Sequence, residues 1–179
     1  MIYRPCSLTA ARDLVIAAER LVVLSGAGLS AESGISTFRG AGGHWREHRA
    51  TDLATPGAFE RDPALVWEWY SERRRAALDA EPNPAHHALA SFQARRGRDR
   101  VALVTQTVDG LLQRAGAPEV LEFHGSLFRV RCSCDCGGER YDERTPWPHP
   151  VPCAACGSPL RPAIVWFGEE LPEPVFARS

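Results

Sequence analysis

At 179 residues, with 44% hydrophobic and 24% charged residues and a formal net charge of −1, the chain has the make-up of one ordinary folded domain with room for a small insertion. That balance excludes a disordered chain and a strongly basic nucleic-acid binder, and no apolar stretch approaches the roughly 20 residues of a membrane span. Residues 1–20 carry Arg4, Arg12, Asp13 and Glu19 and lack the apolar centre of a secretory signal, so a cytoplasmic monomer with neither nucleic-acid nor membrane partners is expected.

Leu8 to Arg20 reads as an amphipathic helix, with Leu14, Ala17 and Ala18 at helical spacing. It leads into Leu21 to Leu24, a short apolar run of the kind buried on both faces of a parallel sheet, and then into a glycine turn at Gly26 and Gly28. Asp62 followed by Pro63 is a capping side chain ahead of a first-turn proline, and helical spacing continues through Leu65, Trp69 and Ala76 to about Asp79. A second helix is predicted from Ala85 to Gln93, ended by Gly97, and further strands at Val101–Thr105 and Val120–Phe123. Arg95, Arg96, Arg98 and Arg100 read as a solvated turn. All 21 basic residues are arginine, which reads as GC-rich codon usage rather than function. Strands alternating with helices predict an α/β fold, a Rossmann-like doubly wound parallel sheet.

From about Cys132 to Leu160 the rhythm breaks, with Pro146, Pro148, Pro150 and Pro152 among cysteines and glycines. Five of the six cysteines crowd into Cys132–Cys156 and Cys6 stands apart, which in a reducing compartment favours metal over disulfides. Cys153 and Cys156, two residues apart and followed by Gly157, have the knuckle spacing of a tetrahedral zinc site. Cys132, Cys134 and Cys136 offer no such gap. Cys132 and Cys136 are taken as the other pair because Cys136-Gly137 mirrors Cys156-Gly157, leaving Cys134 spare, although it could replace Cys132. Four thiolates fill zinc's coordination and leave no place for water, so such an ion is structural.

Gly26-Ala27-Gly28 alone fits a phosphate-approaching turn and an empty strand-to-helix turn equally well. The whole run Gly26–Trp45, GAGLSAESGISTFRGAGGHW, is more specific. With TQTVDGLLQRAG at Thr105–Gly116, FHGSLF at Phe123–Phe128 and LRPAIVWFGE at Leu160–Glu169, it resembles the sirtuins, NAD-dependent protein-lysine deacylases, in family order along nearly the whole chain. Ser36 stands where proline is common in that family, Thr107 where asparagine is usual, and Leu112 where histidine is frequent. The resemblance implies NAD as co-substrate, held by Gly26, Ala27, Gly28, Ser30, Phe38, Arg39, Trp45, Gln106 and Asp109, and one structural zinc, with a family cysteine following the arginine matched by Arg131. It implies three parts: 1–126, a Rossmann-like NAD-binding part with a helical insertion over about 40–95; 127–163, a zinc module; and 164–179, a return into a sheet left incomplete at the C-terminus.

His124 falls after a predicted strand and before Gly125, at the carboxyl end of the sheet where such folds bind ligands. The resemblance gives it the role of taking a proton from a ribose hydroxyl, which drives acyl transfer to ADP-ribose as nicotinamide leaves. His44, His48, His86, His87 and His149 read as surface or packing residues. Tyr70 and Arg73, three apart, project from one helix face, where an arginine fork and a phenol could grip an acidic acyl tail. The plainer reading packs Tyr70 under the helix and leaves Arg73 with Arg74 and Arg75 as a solvated run. The stretch WEWYSERR, preceded by TDLATPGAF at Thr51–Phe59, resembles the sirtuin branch that removes succinyl, malonyl and glutaryl groups from acylated-lysine proteins. A non-catalytic acyl-lysine or partner-binding module and a protein ADP-ribosyltransferase are the competing functions.

Overall fold

The computed structural model describes residues 7–37, 44–147 and 151–171. Cys6, Phe38, Arg39 and His149 lie outside them.

Helix α1 (Leu8–Ala17) opens on Ser7, whose side chain accepts from Ala10 N at 3.1 Å. It stops short of the predicted Arg20 because Ala18 is extended, and none of its residues is buried. The Arg96 guanidinium holds the carbonyls of Ile16 and Ala18, putting positive charge at the carboxyl end of the helix. Arg96 is therefore an anchor rather than part of a solvated turn.

Strand β1 (Leu21–Ser25) is followed by a 3₁₀ helix over Ala27–Ser33. A short hairpin, β2 (His44–Trp45) with β3 (His48–Arg49), precedes α2 (Ala50–Leu53) and α3 (Pro56–Arg61). Helix α4 (Pro63–Asp79) starts where its cap predicts, with Asp62 accepting from Leu65 N at 2.9 Å. Helix α5 (Pro84–Arg96) ends on Gly97 at φ 89°, then come β4 (Val101–Thr105), α6 (Leu111–Arg114) and β5 (Val120–Glu122). Strands β6 (Gly125–Cys132), β7 (Arg140–Tyr141) and β8 (Leu160–Ile164) complete the described elements.

Two sheets result. The parallel one has the order β1-β4-β5, in register from Leu21 opposite Val101 to Ser25 opposite Thr105. The antiparallel one has the order β7-β6-β8. Two-sided burial of β1 does not hold: Val22 and Leu24 are 55% and 62% exposed, whereas Val101, Leu103 and Val104 of β4 are buried. Helix α1, which could have covered that face, lays no side chain into a core. An apolar run of four residues does not encode how many of its faces will be covered.

The main core lies instead between α2–α4 and the antiparallel sheet, where Trp67, Trp69, Tyr70, Leu127, Val130, Trp147, Leu160 and Trp166 pack together. Trp67 Nε1 donates to Leu160 O at 2.8 Å, tying α4 to β8. Among the described residues no helix is long and apolar enough to cross a membrane. The two sheets meet where Leu127 N donates to Val108 O and Val165 N donates to His124 O. The carboxyl ends of β1, β4 and β5 therefore open beside the start of β6.

Candidate active site

A cavity of about 330 Å³ occupies that junction. Ala27 and residues 34–36 form one wall, Gln106, Thr107, Val108 and Asp109 the second, and Trp69, Tyr70 and Arg73 of α4 the third, with Trp45 at the side. Gly26 is the extended residue that turns the chain from β1 into the 3₁₀ helix, and Gly28 has open space where a Cβ would stand. Backbone there is free to approach a ligand.

Below the second wall runs a buried polar chain. Ser25 Oγ meets Thr105 Oγ1 at 3.0 Å, Thr105 Oγ1 meets Thr107 Oγ1 at 2.9 Å, and Thr107 donates to Asp109 Oδ1 at 3.4 Å. Ser30, wholly buried, donates to Asp109 Oδ2 at 2.7 Å. His86 Nε2 lies 3.3 Å from the same hydroxyl. The backbone N–H of Asn83 points at His86 Nδ1 at 3.2 Å, so Nδ1 must be the acceptor. The proton of neutral His86 therefore sits on Nε2 and is donated to Ser30, which passes its own to Asp109. Burial holds the His86 pKa below the ordinary histidine value, with His87 adding to that and Asp109 opposing it.

His124 is half-buried at the mouth of the junction, with Nδ1 3.1 Å from the carbonyl oxygen of Gln106. A carbonyl only accepts, so Nδ1 carries the hydrogen and Nε2 is left with a free lone pair. Gly125 follows at φ 78°, and a Cβ on it would come within 2.1 Å of Ala163 O. Only glycine lets β6 start there, and that start fixes where His124 stands.

Tyr70 is 1% exposed and its hydroxyl accepts from Trp166 Nε1 at 2.8 Å. Burial pushes the phenol up to about 12 despite the Arg73 charge, so the hydroxyl keeps its hydrogen to donate. Arg73 stands half-buried in the cavity wall with its guanidinium 5.2 Å from the Trp69 ring. Burial lowers its pKa, and Tyr70 and Asp109 act against that. Of the plainer reading, the packing of Tyr70 under the helix holds, but the solvated arginine run does not: Arg74 is fully buried and only Arg75 is exposed.

The five described cysteines are all free thiols, and they converge. Cys132, Cys134, Cys136 and Cys156 lie within 4.8 Å of one another, and Cys153 Sγ is 3.5 Å from Cys136 Sγ. Cys134, expected as the spare, is inside the mutually close set, while Cys153 stands at its edge. Contacts of 3.2 to 3.5 Å are far longer than the roughly 2.05 Å of a disulfide. They are close to the edge of about 3.8 Å that tetrahedral bonds of about 2.3 Å give to sulfurs around zinc. The donor set fits a structural zinc ion.

A profile described as the Sir2 family matches residues 26–179. The chain belongs to the Sir2 family. It is 49% identical over 160 residues to an NAD-dependent protein deacylase of Aquifex aeolicus, covering 89% of this chain and 66% of that protein. It is 48% identical over 185 residues to the mitochondrial NAD-dependent protein deacylase sirtuin-5 of Canis lupus familiaris, covering 89% and 59%. The crystal structure of a Sir2 homolog–NAD complex superposes with a TM-score of 0.88 at 42% identity, covering 99% of this chain and 69% of that one. The chain thus spans about three fifths to two thirds of the length of these curated Sir2 relatives.

Within this Sir2 chain, Ser30, Ala27, Trp45, Gln106 and Asp109 gather on or behind one cavity, and Tyr70 and Arg73 face them across it. Thr107 fills its place by bonding to Thr105 and Asp109, and Leu112 is buried as a packing residue. His86, expected as a surface or packing residue, is fully buried, and what sequence reasoning misses is its bonding to Ser30 and Asn83. The signal was present in Asn83-Pro84-Ala85-His86, an N-cap followed by proline and by a side-chain acceptor at the third helical position, and it forms a capping box.

Proposed function

We propose that this chain carries the NAD and acyl-lysine sites of an NAD-dependent protein-lysine deacylase that accepts acidic acyl groups. The observation that supports it most directly is the single cavity with Gln106, Thr107 and Asp109 on one wall and Tyr70 with Arg73 on another. Gly26, Ala27 and Gly28 bring backbone up to the pyrophosphate, while Asp109, held from beneath by Ser30 and His86, presents a fixed polar wall to the nicotinamide end. By the resemblance Phe38 and Arg39 belong to the same NAD site, and Trp45 closes its side. NAD, when bound, supplies the ribose carbon that takes the acyl oxygen and the ribose hydroxyls that receive the acyl group as nicotinamide leaves.

His124 acts through Nε2. Its lone pair takes a proton from a hydroxyl brought to the cavity mouth, and the Gln106 carbonyl steadies the resulting cation at Nδ1. Arg73 pairs with a carboxylate at the end of the acyl chain and Tyr70 donates its hydroxyl hydrogen to the same group. Segments 1–126 and 164–179 form the NAD-binding part and 127–163 the zinc module, whose four thiolates, Cys132, Cys136, Cys153 and Cys156 in the simplest pairing, shape the fold and take no part in the chemistry. Acylated-lysine proteins are the partners, in the cytoplasm, where free thiols persist, and the chain acts as a monomer.

Incubation with NAD and succinyl- or acetyl-lysine peptides tests the proposal. Nicotinamide with acyl-ADP-ribose is the expected outcome, and it disappears in His124→Ala with zinc content unchanged. Labelled protein would mean a transferase instead, and binding without either product a non-catalytic module.

A further inference from the structure

Zinc takes four thiolates, and this chain brings five together. Cys156 Sγ lies 3.4, 3.2 and 3.2 Å from the sulfurs of Cys132, Cys134 and Cys136, and Cys136 Sγ is also 3.5 Å from Cys153. Two turns present them. In the first, Asp135 sits at φ 53° and donates its N–H to Cys132 O, folding Cys132, Cys134 and Cys136 onto one side. In the second, Gly157 at φ 78° donates to Cys153 O and Cys153 N donates to Ser158 O, folding Cys153 back beside Cys156. With Cys132, Cys136 and Cys156 as three corners, the fourth is supplied either by Cys134 from the first turn or by Cys153 from the second.

Each candidate already touches a shared corner, so the exchange requires a side-chain rotation rather than a backbone rearrangement. Cys134 is exposed and Cys153 half-buried, so either thiol, when left out, is at least partly open to solvent. We propose that the zinc site has two overlapping ligand sets, with Cys132, Cys136 and Cys156 common to both and Cys134 and Cys153 exchanging at the fourth corner. The exchange balances. The incoming thiol releases its proton to solvent as its zinc–sulfur bond forms, and the outgoing thiolate takes one up as its bond breaks. Two consequences follow: loss of either exchanging thiol leaves a complete shell, and the thiol outside the shell is a stepping stone for passing the ion to an external thiol.

The inference rests on the reading that the cluster holds zinc, and the experiment separates the two. Zinc per chain is measured in the wild type, Cys134→Ala, Cys153→Ala and the double variant, with affinity read by competition against 4-(2-pyridylazo)resorcinol and coordination by the spectrum of the cobalt-loaded protein. About one zinc is expected in the wild type and in each single variant, with affinities within about tenfold and a four-sulfur cobalt spectrum throughout, whereas the double variant is weaker by about a hundredfold or more. A wild type without zinc overturns the metal reading itself. A zinc-bearing wild type with either single variant more than about tenfold weaker, or a double variant no weaker than the singles, overturns the exchange.

Discussion

The indole of Trp67 is stacked on that of Trp147, with ring centroids 4.4 Å apart and planes 16° from parallel. The Arg74 guanidinium lies 5.1 and 5.2 Å from the two rings, and it donates to Leu127 O at 2.6 Å and Arg144 O at 3.1 Å. Burial brings its pKa down to about 10, opposed by Asp142, so it stays charged at neutral pH. It holds α4 against both β6 and the segment ahead of Trp147. Arg74→Met keeps most of the apolar stem and strands two carbonyls, so unfolding in urea should require about 2–4 kcal/mol less than for the wild type. A loss below about 1 kcal/mol would mean that water replaces the guanidinium at little cost.

His86 makes stability depend on pH in a definite direction. Its folded pKa lies below the unfolded value of about 6.5, so its contribution is complete above about 6.5 and is lost as pH falls through the folded value. His86→Gln offers an amide oxygen to Asn83 N–H, as capping boxes commonly do, and does not titrate. The denaturant midpoint of the wild type should therefore fall more between pH 7.5 and pH 5.0 than that of the variant. Equal falls in both proteins would remove His86 as the cause.

At Gly125 both the positive φ and the 2.1 Å approach to Ala163 O oppose a side chain. Gly125→Ala should cost at least about 2 kcal/mol in thermal or chemical unfolding, because β6 and β8 must separate locally. On the proposed reading, any deacylation that survives should lose kcat, since His124 hangs on the same backbone. Wild-type stability in this variant would mean that the strands part easily there.

Arg73 sets the preference for the acyl group on the proposed reading. A lost charge-assisted pair is worth about 2–4 kcal/mol, so Arg73→Met should lower kcat/KM on a succinyl-lysine peptide by about two orders of magnitude. Activity on an acetyl-lysine peptide should stay within a few fold. Equal loss on both peptides would point to a disturbed fold, and unchanged desuccinylation to a carboxylate held elsewhere.

Much of this fold is legible in the chain because its causes are local. Asp62 and Pro63 start α4 wherever that helix packs, the β-branched and apolar run Val101–Thr105 forms a strand, and cysteines crowded between positions 132 and 156 fold onto one another because the chain between them is short. The glycine-bounded motifs likewise place His124 at the end of a strand before any contact is known. Which polar groups lose water was decided only by the tertiary structure. Ser30 meets Asp109 from 79 residues away and His86 from 56, and Trp166 reaches Tyr70 across 96. Arg74 and Arg75 are neighbours of the same type, yet one is sealed against a stacked pair of indoles and the other is exposed. Helical and strand preferences act over a few residues, whereas burial depends on which distant segment arrives opposite. The same arrival covers β4, leaves Val22 and Leu24 exposed, and brings a fifth thiol into contact with a site that needs four.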